Sequence, residues 1–244
     1  MRRPLATVCL VLVALGAVAC SAGGGPADLA GSPTTSPATL LSTTSTVAVL
    51  DADDLLALAR RAVLRVRNTG CGELSTGTAW LAEDGRMVSN RHVVEGVRKL
   101  EMNTWDGRDL EPSSADVADD ADISRIAGSW PAEAELVPLK VRTTRVEPGE
   151  RISVAGYPEG NALAVTTGVA TGYASDPRLA PRELLKLTTV IKPGNSGGPA
   201  LDERGEVVGV VFAKELANDA ALVIPIADVF GPTAAPLRPE PGCS

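Results

Sequence analysis

The sequence predicts an all-β fold built as two small antiparallel barrels. Short β-like runs bounded by turn residues recur about a dozen times over roughly 170 residues, the pattern of small barrels. Glycine and proline, 24 and 18 residues respectively, are abundant for a helical protein and suit a turn-rich one. Hydrophobic residues make up 44% of the chain but aromatics only 3%, so the core must be assembled from Val, Leu, Ile and Ala. No internal period suggests a solenoid, and 244 residues allow one large or two small domains.

Residues 1–20, MRRPLATVCLVLVALGAVAC, place two arginines before an apolar run that is short for a membrane span and ends in small residues. That is the composition of a secretory signal peptide, with an uncleaved anchor as the alternative. The ending AVAC resembles a bacterial lipobox, in which Cys20 receives a lipid and becomes the mature N-terminus; Ala17 stands where leucine is usual. Ordinary cleavage nearby is the competing reading. Residues 21–50 are Gly, Ser, Thr, Pro and Ala with hardly a charge, too poor in apolar surface to offset chain ordering, and read as a flexible tether.

The folded unit is expected over 51–231. Asp51 suits a helix N-cap, and the spacing of Leu55, Leu56, Ala59 and Ala62 predicts a short helix giving way to a strand near Val63. STGTAWLA and MVSN read as a hairpin across EDGR, and VRKLEMNT and DLEPSS as another across WDGR. The runs DISRIAG, LVPLKV, RISVAGYP, ALAVTTGVATGY, ELLKLTTV, GPALD, EVVGVVFA and ALVIPI supply the remaining strands. Residues 232–244 are Pro-rich and should lie extended, letting Cys243 reach back.

Cys9 lies in the leader and Cys20 is the proposed lipid site. That leaves Cys71 and Cys243, which in an exported chain are predicted to pair, with two free buried thiols as the alternative. Such a bridge, tying the first barrel to a tail behind the second, stabilises by at most about 5 kcal/mol in the chain-entropy model. The formal charge is −7, without basic runs or aromatic platforms, which argues against nucleic-acid binding. One histidine and two paired cysteines leave no metal-ligand set; neither metal nor cofactor is expected.

The chemistry-bearing residues are few. Ser196 sits in VIKPGNSGGPA, flanked by glycines; His92 follows a short strand in MVSNRHVVEGV; Asp122 opens the apolar run in DDADISRIAG. A serine nucleophile needs a base in hydrogen-bond reach, and the base needs an acceptor that sets its tautomer. Each residue also has a bland reading: Ser196 as turn chemistry, His92 as a structural histidine, Asp122 as a strand cap. Asp122 is suited to burial against the His92 ring while Ile123 and Ile126 pack.

Taken together, GNSGGP, HVV and DIS, in the order His, Asp, Ser, resemble the trypsin-like serine proteases of the chymotrypsin-like double-barrel fold. The HtrA type is most similar, with TNAHVV and NPGNSGGP as its usual forms, over roughly 63–230. A membrane-anchored mycobacterial branch similarly has a cysteine before the strand answering to CGELSTGTAW and another at its extreme C-terminus. The resemblance implies Ser196 as nucleophile, His92 as base, Asp122 as orienting acid, and the N–H groups of Gly194 and Ser196 as the oxyanion hole. It implies protein or peptide substrates and, with the lipobox, membrane attachment at the cell envelope. Val190 falls where trypsin-type enzymes carry their specificity acid, so an apolar or small P1 residue is expected, with Ala213 and Lys214 walling the pocket. Lys192 and Lys214 are otherwise solvated loop residues. Arg91 departs from the family pattern, standing where it either folds outward or crowds His92. Asn195 removes the aspartate that a buried N-terminal ammonium pairs with in the trypsin branch. No PDZ-like domain is expected. The rival reading is a protease-fold binding module that keeps the triad residues but is catalytically silent.

Overall fold

The computed structural model describes residues 48–215, 219–232 and 234–243. The predicted leader, Cys20 and nearly all of the tether lie outside them. The described residues belong to one compact unit.

The first barrel takes β1 (Val63–Thr69), β2 (Leu74–Leu81), β3 (Met87–Asn90), β4 (Lys99–Asn103), β5 (Asp109–Ala118) and β6 (Ile123–Ser129). Their order is β5-β4-β1-β2-β3-β6, closed by pairing of β5 with β6. The second takes β7 (Arg151–Gly156), β8 (Ala164–Ser175), β9 (Glu183–Val190), β10 (Pro199–Leu201), β11 (Val207–Lys214) and β12 (Ala220–Pro225), closed in the order β10-β11-β12-β9-β8-β7. Every neighbouring pair in both barrels is antiparallel, as predicted.

Strand alternation builds three cores from small apolar residues. On β1, Leu64 and Val66 face inward with Met87, Met102 and Ile126 to fill the first barrel. Ile152, Val154, Leu185, Leu187, Val211 and Val223 fill the second. The opposite faces supply Val63, Trp80, Val207, Val210 and Ile224 to a layer drawn from both barrels. Each fully buried Leu, Ile or Val contributes about 1.5–3 kcal/mol, and no large aromatic cluster is needed.

The helix α1 (Ala52–Arg60) starts where expected: the Asp51 carboxylate accepts the N–H groups of Asp53 and Asp54, each at 2.9 Å. Its Leu55 and Ala59 are buried in the shared layer. Ahead of it, the Leu50 N–H donates to the Glu203 carbonyl at 2.8 Å.

Two expectations are corrected. LVPLKV is not a strand: it makes only isolated parallel bridges, Ala82 with Leu139 and Val141 with Val207. Pro138 lacks an N–H and interrupts the ladder, leaving this segment as the link between barrels. The tail does not lie behind the second barrel. Its β13 (Arg238–Pro239) adds to β5 at the edge of the first, and the Glu240 carboxylate accepts the Gly96 N–H at 3.0 Å. Cys71 and Cys243 are bonded, with Cα atoms 5.5 Å apart, so the bridge returns the tail to the first barrel.

Candidate active site

His92 lies on α2 (Arg91–Val94), a single turn that begins directly after β3. Asp122 is the residue before β6, and β3 pairs with β6 through Asn90 opposite Ile123. That register brings the two together. Asp122 is in the left-handed region, φ 50, a strained conformation that Asp tolerates better than most residues. Two hydrogen bonds hold its carbonyl there, one from the Arg91 N–H at 3.1 Å and one from the Asn90 side-chain amide at 3.0 Å. Its carboxylate then accepts the His92 N–H at Oδ1 (3.0 Å) and His92 Nδ1 at Oδ2 (2.6 Å). A carboxylate only accepts, so Nδ1 carries a proton; in the neutral ring that leaves Nε2 with its lone pair. Asp122 is 7% exposed, whereas the His92 side chain is 43% exposed and reaches the cleft.

Ser196 comes from the second barrel, on the turn between β9 and β10. Gly194 (φ 96) and Gly197 (φ 85) supply its left-handed positions. A Cβ on Gly194 would overlap the Tyr157 carbonyl, and one on Gly197 would overlap the Thr78 carbonyl and Ser89 Oγ. The Pro193 carbonyl accepts the Glu159 N–H at 2.6 Å, and the Asn195 carbonyl accepts the Gly198 N–H at 3.0 Å. In a trans peptide the N–H points opposite to the C=O, so the amides of Gly194 and Ser196 are turned the other way. Neither donates to an acceptor among the described residues.

His92, Asp122 and Ser196 line one open cleft of about 450 Å³. Phe212 forms part of its wall, its ring set edge-on to the imidazole at 6.2 Å with the Arg178 guanidinium 4.7 Å from its centre. Ser196 Oγ donates to the Phe212 carbonyl at 3.4 Å; no hydrogen bond joins it to His92.

Arg91 stands at the side of the same cleft, together with Asp119. Its guanidinium binds Asp119 at 2.7 Å, and Arg238 of the tail binds the same carboxylate at 2.7 Å. These two guanidiniums hold the Asp119 carboxyl down to about 2. Of the residues expected in the substrate pocket, Ala213 and Lys214 line the cleft. Val190 does not: it is 57% exposed, while Ile191 lines the cleft and is buried. Alternation along β9 turns Thr189 inward and Val190 out, so a position counted back from the serine misses by one residue. Lys214 pairs with Asp219 at 2.5 Å and Lys192 lies 3.4 Å from Glu159.

Asn90, Thr78, Arg178 and Phe212 were not singled out from sequence. Asn90 precedes RHVV and had a positional signal; Arg178 sits in the β8–β9 loop, where no pattern marks it.

The trypsin-like peptidase domain model matches residues 76–210. The chain is 32% identical to the serine protease HTRA1 of Xenopus laevis over 144 residues, 57% of this chain and 31% of that protein. It is 29% identical over 138 residues to a Halomonas elongata protein named "Probable periplasmic serine endoprotease DegP-like", 53% of this chain and 27% of the other. The chain spans about a third of the length of such curated relatives. Among solved structures, the Rv3671c protease from M. tuberculosis in its active form is similar in fold. It superposes with a TM-score of 0.66 at 22% identity, over 78% of this chain and 88% of that one.

Proposed function

The chain belongs to the trypsin-like peptidase family, and from that premise we propose that it is an exported serine endopeptidase acting on proteins or peptides of the cell envelope. The observation that carries the proposal is the meeting of the His92–Asp122 pair, from the first barrel, with Ser196, from the second, in one cleft. Ser196 Oγ attacks the scissile carbonyl, and His92 Nε2 takes its proton and returns it to the leaving amine. Asp122 keeps the proton on Nδ1 and stabilises the imidazolium. The free N–H groups of Gly194 and Ser196 receive the developing oxyanion, a type of donor that is typically worth ~10²–10³ in turnover.

For the attack, Oγ leaves its long contact with the Phe212 carbonyl by rotating about Cα–Cβ, a motion on the picosecond-to-nanosecond scale. Catalytic hydrogen bonds commonly tighten only in the substrate complex. The apolar Ile191 and Ala213 favour an apolar or small P1 residue, with Lys214 at the side of the pocket. The protease unit is assigned to 51–231, with the tail 232–244 fastened to its first barrel. Export is supported by the composition of 1–20, and a lipid on Cys20 would tether the unit through 21–50. A relative named as periplasmic is in keeping with an envelope location.

The second reading, a catalytically silent binding module, is favoured by one observation: Ser196 Oγ faces Phe212 rather than His92. Intact mass after incubation of the full chain in detergent with a fluorophosphonate separates the two. A stoichiometric adduct, absent in Ser196→Ala and strongly slowed in His92→Ala, is expected of the protease. A well-folded chain that takes up no reagent is the silent module. Mass analysis of the membrane-extracted protein tests the anchor: a lipid-bearing N-terminus at Cys20 is expected, and a lipid-free N-terminus elsewhere removes that part of the proposal.

A further inference from the structure

Thr78, on β2 of the first barrel, is fully buried, and its N–H and hydroxyl are engaged with the second barrel. Its N–H donates to the Ser196 carbonyl at 2.8 Å. Its hydroxyl donates to the Gly194 carbonyl at 2.7 Å and accepts the Tyr157 N–H at 3.1 Å. Its carbonyl accepts the Ser89 hydroxyl at 2.7 Å. The hydroxyl has no rotational choice: a carbonyl only accepts and a backbone N–H only donates, so its single proton must point at Gly194. The neighbouring residue makes the approach possible, since a Cβ on Gly77 would crowd the Val93 side chain and lie 3.1 Å from the Ser196 carbonyl.

The carbonyls of residues 193–196 are therefore all engaged by protein donors. Pro193 is held by Glu159, Gly194 and Ser196 by Thr78, and Asn195 by Gly198. Two of the four depend on one residue of the opposite barrel. The Gly194 carbonyl belongs to the Gly194–Asn195 peptide, which lies between the two peptides that carry the Gly194 and Ser196 N–H groups. If it is released, that middle peptide keeps only the Asn195 N–H bond to the Lys192 carbonyl (3.1 Å), and the direction of the two flanking amides relative to each other is less firmly set. The same residue ties the barrel that carries His92 and Asp122 to the turn that carries Ser196, and through Ser89 it reaches the strand leading into α2.

We propose that Thr78 is a positioning residue for the reaction, its hydroxyl holding the Gly194–Ser196 turn with both amides open to the oxyanion and in register with His92. The inference rests on the protease reading above. It differs from a structural role in what it controls: the rate at each assembled site, rather than the fraction of molecules that assemble.

The test uses the full chain in detergent, with Thr78→Val, which removes the hydroxyl at nearly constant shape, and Thr78→Ser, which keeps it. The fluorophosphonate endpoint counts competent sites, and kcat and KM on a chromogenic peptide are expressed per labelled site. The expected result for Thr78→Val is labelling to the wild-type endpoint, a labelling rate and kcat lower by roughly 10²-fold, the scale of one lost oxyanion donor, and KM within about threefold because peptide binding contacts are untouched. Thr78→Ser should restore kcat to within about threefold. A Thr78→Val chain with wild-type kcat per site overturns the inference alone, as does one whose only defect is a reduced endpoint. If Thr78→Val does not fold, Thr78→Cys replaces it: its thiol is a weaker donor, and an intermediate loss of kcat is expected, with wild-type turnover refuting. A wild-type chain that takes up no reagent overturns the inference and the protease reading together.

Discussion

Replacing Asp122 by Asn tests the arrangement of the site more sharply than deleting a catalytic group. The carboxylate accepts at both oxygens, the His92 N–H at 3.0 Å and Nδ1 at 2.6 Å. A carboxamide has one acceptor and one donor end. The backbone N–H cannot change role, so the amide oxygen must face it and the NH₂ must face Nδ1. Nδ1 then becomes the acceptor, the proton moves to Nε2, and Nε2 no longer takes a proton from Ser196. Turning the amide round restores the productive tautomer but sets two donors against each other at a site only 7% exposed. That costs about 1–3 kcal/mol. Losing the negative charge beside the imidazolium adds about 1–2 kcal/mol, the difference between charged and neutral hydrogen bonds. At 1.36 kcal/mol per decade the sum of about 2–5 kcal/mol is a fall of roughly 30- to 5,000-fold in kcat.

The chain has one histidine, so a single imidazole is observed by ¹⁵N NMR. The expected result is a proton on Nδ1 in the parent and on Nε2 in Asp122→Asn, with kcat reduced by the stated factor. Asn also tolerates the left-handed backbone, so the melting temperature should stay near that of the parent. A loss below tenfold, or an unchanged tautomer with a large loss, would refute the reasoning.

Ile126 on β6 is fully buried in the first barrel, so Ile126→Ala should lose about 2–5 kcal/mol of stability in urea unfolding; a loss under 1 kcal/mol would mean that the barrel repacks around the gap. Asp119→Asn tests the contact between the tail and α2. Its carboxyl is depressed from 3.8 to about 2 by Arg238 and Arg91, so the unfolded chain takes up the proton first as pH falls. The stability difference between parent and variant should hold from neutral pH down to about pH 4 and vanish as pH falls to about 2. It should also shrink in high salt, because the pairs are exposed. A difference that grows below pH 4 contradicts the assignment.

Much of the fold was legible because its determinants are local. Apolar alternation, turn residues at hairpin tips and an Asp at a helix cap act within a few residues, and they located nearly every strand and α1. LVPLKV was misread because an apolar run looks alike whether it joins a ladder or links two barrels; Pro138 was the one local sign. His92, Asp122 and Ser196 were legible through motif order and type, since few residues carry this chemistry and each sits at a strand end or a glycine turn.

Other features depended on contacts between distant segments. Whether Val190 or Ile191 faces the cleft depends on the parity of β9 as it leaves the barrel, which counting from the serine does not supply. The tail was expected behind the second barrel because it follows it in sequence. It lies on β5 because Arg238 and Pro239 pair with Val117 and Asp116, partners more than a hundred residues away. Thr78 looks like any threonine in a strand; its hydroxyl is placed between Gly194 and Tyr157 by the packing of one barrel on the other. By itself the sequence determined which elements form and which residues are candidates for the chemistry, because backbone preference and side-chain reactivity travel with the residue. Only the tertiary structure decided which carbonyl, amide or charge each of those residues meets, because hydrogen-bond partners are set by which distant strands are brought within about 3 Å.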